Sequence, residues 1–531
     1  MSRTTLIGNS VQQLHCIRSD SLPRLAWCAV LGKNDDKAII YHGVCVEVGS
    51  SFCVEGAWSG RYSEMAFPHA ITFTGSGALF TPEGILFATP THSVEPLYVL
   101  QAQGWLHCSN SLRLVLSSAA DDIDYAYLYY DVDITYMAFG LKHRISRIPT
   151  RNHNWVTIHR YCNVIIGRDL SIKILQKKQP ACFENYSDYR TLLNEEVSLT
   201  IQNSADAQRM VRYTPVSTIS TGYDSAAVSV IAKEAGCREF VTFATSVDGT
   251  NDSGKQIGHI LGLEVTEYDP TTYRSRNDLP EAEFAATGGG GGSVILTALE
   301  HRLSGKILLT GHYGGEAWER ATNKGGINMV NWDSAGADML YFRARAGFTF
   351  LAVPSIGYSQ YMSLQSIANS EEMRPWSLLR EEYDRPIPRR IVEEAGVPRE
   401  LFGHTKKFAA RSLNYCNPIS VIEPNLQHVM AETSYRHFCK WAKQVKLYQS
   451  RIDRLIFSLM HKLYYLNDRI IRSKKVQTAA KHLGIVLPRA PLLPIRFRKR
   501  RTHHRLLFHW GMEQIKGQYI ARDGPRLIGP H

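Results

Sequence analysis

The chain has 531 residues, 44% apolar and 21% charged, with 61 Lys and Arg against 49 Asp and Glu and a net charge of +12. That length exceeds one ordinary core and predicts two or three domains, and the composition excludes a disordered or collagen-like chain. The ten cysteines stand singly, with no Cys-x-x-Cys pair and no metal-ligand spacing, which predicts reduced, mostly buried thiols in a cytoplasmic protein.

The first residues carry no apolar signal core. Residues 1–190 read as β-rich. Val44, Val46 and Val48 alternate as a half-buried strand should, Gly84–Ala88 is a short apolar run, and residues 97–100 followed by 104–108 read as a hairpin. The pattern then changes. Residues 214–219 predict a strand, and Val228, Ile231, Ala232 and Ala235 share one face of a following helix, with Gly236 as its C-terminal cap. Residues 238–245 predict the next strand, Asn251 and Asp252 the cap of a helix, and residues 263–268 a third strand. Leu296, Leu299 and Leu303 predict a helix before a fourth strand at Lys306–Thr310. Strand–helix alternation at this spacing implies a parallel sheet covered on both faces, which binds ligands beyond the carboxyl ends of its strands. Five consecutive glycines, residues 288–292, predict a mobile loop over those ends.

Beyond about residue 430 the chain reads helical and basic. Its most apolar stretch, residues 455–466, is interrupted by His461 and Lys462 and is too short to span a bilayer. A Pro-rich connection at 488–494 leads to a tail in which residues 489–531 hold ten Lys and Arg against two Asp and Glu. Such a tail suits an anionic partner (nucleic acid, lipid or an acidic polymer) or a solvated surface strip.

The densest local signal is Ser220-Thr221-Gly222-Tyr223-Asp224-Ser225, between a predicted strand and a predicted helix. Unpaired N–H groups and the positive end of the helix dipole favour phosphate there. Gly222 lets the backbone approach an anion, Ser220 and Ser225 add hydroxyls, and Asp224 suits Mg²⁺ rather than phosphate. No Lys follows in the Walker manner, so this is not a P-loop.

The hexapeptide resembles the S-G-G-x-D-S pyrophosphate loop of the asparagine synthetase-related PP-loop family. Thr310-Gly311-His312-Tyr313-Gly314-Gly315-Glu316 stands where that family has S-G-E-G-x-D-E. Residues 370–376 and 383–390 look like further segments of it, and Gly403-His404-Thr405-Lys406-Lys407 resembles its late G-x-x-K. Upstream, Phe73-Thr74-Gly75-Ser76-Gly77, Pro96-Leu97-Tyr98 and Ser109-Asn110-Ser111-Leu112 are similar to pieces of a class II glutamine amidotransferase. The resemblance implies an α/β protein: a degenerate Ntn-type β-sandwich over 1–190, a parallel-sheet PP-loop (adenine nucleotide alpha hydrolase-like) domain over 200–430, and a helical basic extension over 431–531.

It also implies an ATP-dependent, AMP-forming carboxylate–amine ligase. ATP would bind at Ser220, Thr221, Gly222, Asp224, Ser225, Thr310 and Gly311, Mg²⁺ at Asp224 and Glu316, and Lys406 would support the transition state. The carboxylate would be a small molecule, sugar acid or peptide, attacked by ammonia or an amine. Glu371, Glu372 and Arg385 fit substrate-side positions or structural ion pairs equally.

Four departures qualify this. The family's nucleophilic cysteine follows its initiator Met, whereas here Met1-Ser2-Arg3 precedes Cys16, so no glutaminase activity is expected. Gly315 stands at the family's Asp position, and His312 and Tyr313 replace Glu and Gly. Thr221 stands for Gly, which would penalise a left-handed backbone. A non-catalytic nucleotide-binding or scaffold protein is therefore one alternative, and a PP-loop tRNA-modifying enzyme, favoured by the basic tail, another.

Overall fold

In the computed structural model the described residues are 13–35, 37–127, 129–246, 249–320, 336–378, 383–405, 429–445, 502–520 and scattered positions between 459 and 479. The strands run β1 Gln13–Arg18, β2 Trp27–Gly32, β3 Lys37–His42, β4 Glu47–Val48, β5 Phe52–Trp58, β6 Phe73–Thr81, β7 Gly84–Ala88, β8 Leu97–Ala102, β9 Trp105–Ser109, β10 Ile145–Pro149, β11 Trp155–His159, β12 Cys162–Ile166 and β13 Ile172–Gln176. After them come β14 Thr214–Thr218, β15 Glu239–Phe243, β16 Val265–Tyr268, β17 Lys306–Thr310 and β18 Thr349–Ala352.

The first thirteen form two sheets, ordered β1-β3-β2-β9-β8-β11-β10 and β13-β12-β7-β6-β5-β4. The pairings are antiparallel except β1 with β3. Their inner faces bury Trp27, Leu31, Cys53, Phe87, Val99 and Val164 in one core. Trp27 of one sheet stacks on Phe87 of the other at 6.0 Å and donates its indole N–H to Ser76 at 3.0 Å. The fold is thus mixed α/β, with a β-sandwich preceding a parallel sheet.

The second part is built on β16-β15-β14-β17-β18, all parallel. Numbered from β14, that order is 3-2-1-4-5, so the chain reverses direction across the sheet between β14 and β17. Ile307, Leu308 and Leu309 in succession are buried, as strands covered on both faces require. The helix Tyr223–Glu234 buries Ala226, Ala227 and Ile231. It ends at Gly236, whose φ of +91° and N–H bond to Lys233 O (3.0 Å) make the expected cap.

Buried ion pairs join the two parts. Arg343, on the helix Leu340–Ala346, reaches Glu55 at 2.8 Å and Glu95 at 2.7 Å, and Arg209 reaches Glu47 at 2.7 Å. The helix Thr502–Gln514 returns to the sandwich, where Phe508 and Met512 join the core over its outer face and Lys516 pairs with Asp122 at 2.6 Å. No helix among the described residues is long and apolar enough to cross a membrane. The nine described cysteines are free thiols.

Several local expectations need correction. The strand expected over Val44, Val46 and Val48 is only Glu47–Val48. The amides of Cys45 and Val46 are taken by the carbonyls of Arg24 (2.8 Å) and Gly43 (3.3 Å) instead of a ladder. Asn251 and Asp252 do not cap a helix, which starts at Lys255 behind Gly254. The Asn251 side chain accepts from Ser253 N at 2.9 Å and Asp252 from the Thr221 hydroxyl at 2.5 Å. The leucines at 296, 299 and 303 are buried, but on a 3-10 segment, Gly292–Leu299, that becomes α-helical only over Glu300–Leu303. The first two of the five glycines are wedged against neighbours: a Cβ at Gly288 would stand 3.2 Å from Asp131 Cα, and one at Gly289 3.0 Å from Asp338 Cβ.

Candidate functional site

The hexapeptide runs from just past the end of β14 into the first turn of the helix Tyr223–Glu234, and the second loop follows β17 directly. These are the two strands at which the sheet order reverses, and in an open parallel sheet a crevice opens there beyond the carboxyl ends. The loops touch. A Cβ at Gly314 would stand 2.1 Å from Asp224 Cγ, and one at Gly311 2.7 Å from Asp224 Cβ and 2.8 Å from Ser225 N. Only residues without side chains allow this approach. Ser220, Thr221, Gly222, Asp224, Ser225, Thr310 and Gly311 are thus brought to one place although about ninety residues separate the two groups.

Within the first loop the Ser220 and Ser225 hydroxyls are 2.7 Å apart, and Gly222 N donates to Ser220 Oγ at 3.2 Å. Gly222 has φ −78° and ψ 158° and is the helix N-cap without a side chain of its own. Its Cβ would stand 3.4 Å and 3.9 Å from the two serine hydroxyls, so the space beside them is open. Thr221 is not among the residues of positive φ; the strain expected of it does not arise. Its hydroxyl donates to Asp252 and its carbonyl accepts from Gly403 N at 2.9 Å. Gly403 also abuts Tyr223, where a Cβ would come within 2.3 Å of the ring. Lys406, three residues on, lies outside the described residues.

Asp224 is engaged by a group the motif did not disclose as its partner. Arg385 donates through Nη1 to Asp224 Oδ2, and through Nε to Glu319 Oε2 at 2.8 Å. Glu319 also accepts from Tyr383 N at 2.5 Å. Burial would lower the Arg385 pKa, but attraction from Asp224 and Glu319 outweighs it and holds the pKa above its ordinary value. The Arg385 guanidinium also lies 5.0 Å from the Tyr383 ring centroid. In the sequence Arg385 stood open between two roles, and nothing there marked Glu319. No spacing connects Asp224, Glu319 and Arg385; only the fold does. Glu371 and Glu372 instead make surface pairs, with Arg374 at 3.4 Å and Arg390 at 2.6 Å.

In the second loop Tyr313 takes φ +71° and directs its buried hydroxyl to Ser93 of the sandwich, within 3.2 Å of Ser93 N. Thr310 Oγ1 pairs with His312 Nδ1 at 2.9 Å. Glu316 is half-buried, with its N–H on Tyr313 O at 3.1 Å.

Among the described residues no group of three or more His, Cys, Asp or Glu side chains could hold a metal ion. Mg²⁺ does not require one, since it keeps waters and takes one or two carboxylates with substrate phosphates. Asp224 offers one carboxylate where the two loops meet, and the side of Gly222 leaves room for a phosphate. A cavity of about 420 Å³ lies at the opposite end of the sheet, lined by Arg238, Glu239, Glu264, Thr266, Arg302 and Lys306 near the amino ends of β15, β16 and β17. Four of its polar groups already pair: Lys306 with Glu239 at 2.5 Å, and Arg302 with Thr266 at 3.2 Å. The loop crevice is the better chemical candidate. No family model matches the sequence, and no curated protein matches it.

Proposed function

We propose that the chain binds Mg·ATP in the crevice between the two loops and uses it to adenylate a carboxylate, which ammonia or an amine then attacks. The observation that carries this reading is the meeting of two glycine-bearing loops on Asp224 where the parallel sheet reverses direction. Ser220, Gly222 and Ser225 supply the hydroxyls and backbone N–H groups that hold phosphate at the start of the helix. Asp224 and Glu316 would hold Mg²⁺, which neutralises phosphate charge when bound. In the balanced reaction a carboxylate oxygen attacks the α-phosphorus of ATP and pyrophosphate leaves. The amine nitrogen then attacks the acyl carbon and AMP leaves, with one proton lost from nitrogen. Lys406 is proposed to offset charge that develops in the first step, and the sandwich part, read as Ntn-type, to brace the second loop through Ser93 and Tyr313.

Carboxylate-dependent exchange of labelled pyrophosphate into ATP tests this reading across sugar acids, amino acids and peptides. Exchange with some carboxylate is expected, and Lys406→Ala should slow it by about 10²–10³ while nucleotide affinity holds. Nucleotide binding without exchange for any carboxylate would instead support the second reading, a non-catalytic nucleotide-binding protein. The engagement of Asp224 by Arg385 and the bare backbone at Gly315 favour that alternative.

A further inference from the structure

Arg385 is the least explained group of the crevice. It is 3% exposed, and two of its nitrogens are committed, Nε to Glu319 and Nη1 to Asp224. Its Nη2 makes neither of these bonds. That nitrogen faces Gly315, where a Cβ would stand 3.2 Å away. A buried guanidinium is therefore fixed by carboxylates at Nε and Nη1 and turns Nη2 to a position that carries no side chain. Holding a planar fork from behind is how an arginine becomes a rigid donor for an oxyanion, because little rotamer freedom is left to lose on binding. The guanidinium lies beside Asp224, in the first turn of the helix Tyr223–Glu234, whose N-terminus attracts the same kind of charge.

Resting on the reading above, we propose that Arg385 is a binding residue for a phosphate oxygen of the nucleotide, donated by Nη2 into the gap that Gly315 leaves. Gly315 is then a specificity position: any side chain there takes the oxygen's place, and an acidic one takes the guanidinium as well. The charge balance adds a condition. Arg385 is one positive charge among two negative ones, Asp224 and Glu319, so an oxyanion enters favourably only with a divalent cation that offsets the carboxylates. Phosphate binding at Arg385 is accordingly metal-dependent.

The test is calorimetric titration of the full chain with Mg·pyrophosphate and Mg·ATP. A charge-assisted hydrogen bond predicts that Gly315→Asp binds both about 10–100-fold more weakly than the wild type. Gly315→Ala should bind them a few-fold more weakly. Arg385→Lys, which keeps the charge but loses the fork, should fall with Gly315→Asp. Should that variant not fold, the Gly315 pair still decides the matter, since both alter only a half-buried position of the short helix Gly314–Ala317. Affinity of Gly315→Asp within twofold of the wild type, or any gain through a new metal ligand, overturns the role of Arg385 while the nucleotide site stands. A wild type that binds neither ligand overturns the site and this role together.

Discussion

Gly222→Ala separates phosphate binding from folding, because the structure sets the two effects at different sizes. At φ −78° and ψ 158° the backbone of Gly222 suits alanine. Its Cβ would meet only Ser220 Oγ at 3.4 Å and Ser225 Oγ at 3.9 Å, ordinary contacts. Restricting the unfolded chain stabilises by about 0.4–1 kcal/mol. Alanine is a poorer N-cap than glycine, which costs about as much, roughly 0.5–1 kcal/mol. The two nearly cancel, so the thermal midpoint should move by less than about 2 °C. The new methyl nevertheless fills the space beside the hydroxyls where a phosphate would approach, and loss of one charged hydrogen bond costs about 1.5–3 kcal/mol, or tenfold and more in affinity. Thermal melts and calorimetric titration with Mg·ATP read the two effects independently. Gly314→Ala is the counterpart: its Cβ, 2.1 Å from Asp224 Cγ, forces the loops apart and should cost about 1–3 kcal/mol of stability. Wild-type affinity in Gly222→Ala would show that no phosphate lies against this glycine.

Two further outcomes follow from the scaffold. Burial lowers the pKa of Lys177 from 10.5 to about 7. Between those values the unfolded chain holds a proton that the folded one lacks, so stability rises with pH. The wild type should therefore gain stability relative to Lys177→Met from pH 7 to pH 10 in denaturant melts, and a flat difference would contradict the burial of a neutral amine. Trp510 is fully buried, donates to His437 at 3.0 Å and packs on Phe438 at 5.8 Å. Trp510→Ala should cost about 3–5 kcal/mol, measured by the same melts, and a loss under about 1 kcal/mol would mean that the C-terminal helix is dispensable to the fold.

Much of the parallel sheet was legible because each of its elements announces itself locally. Lys306–Thr310 is an apolar run with the bounds expected, and the helix after β14 shows its buried face and its glycine cap in the sequence. The hairpin of β8 and β9 was equally plain. What failed were positions where a residue's local preference met a distant partner. Asp252 is a good cap in isolation, yet the Thr221 hydroxyl, 31 residues away, claims it. Val46 alternates like a strand residue while its amide closes a turn. In the candidate site the two loops could be found by motif, but their contact could not. The Asp224–Arg385–Glu319 arrangement joins residues up to 161 positions apart, and no periodicity records such a pairing.

Titrating the wild-type chain with ATP, once with Mg²⁺ and once with a chelator, decides whether the crevice takes a nucleotide. One saturable site with Mg²⁺ and a loss of affinity without it is the expected result, with Asp224→Asn weakening only the Mg²⁺-dependent part. The absence of any saturable ATP binding in Mg²⁺ would contradict the assignment of the crevice to a nucleotide.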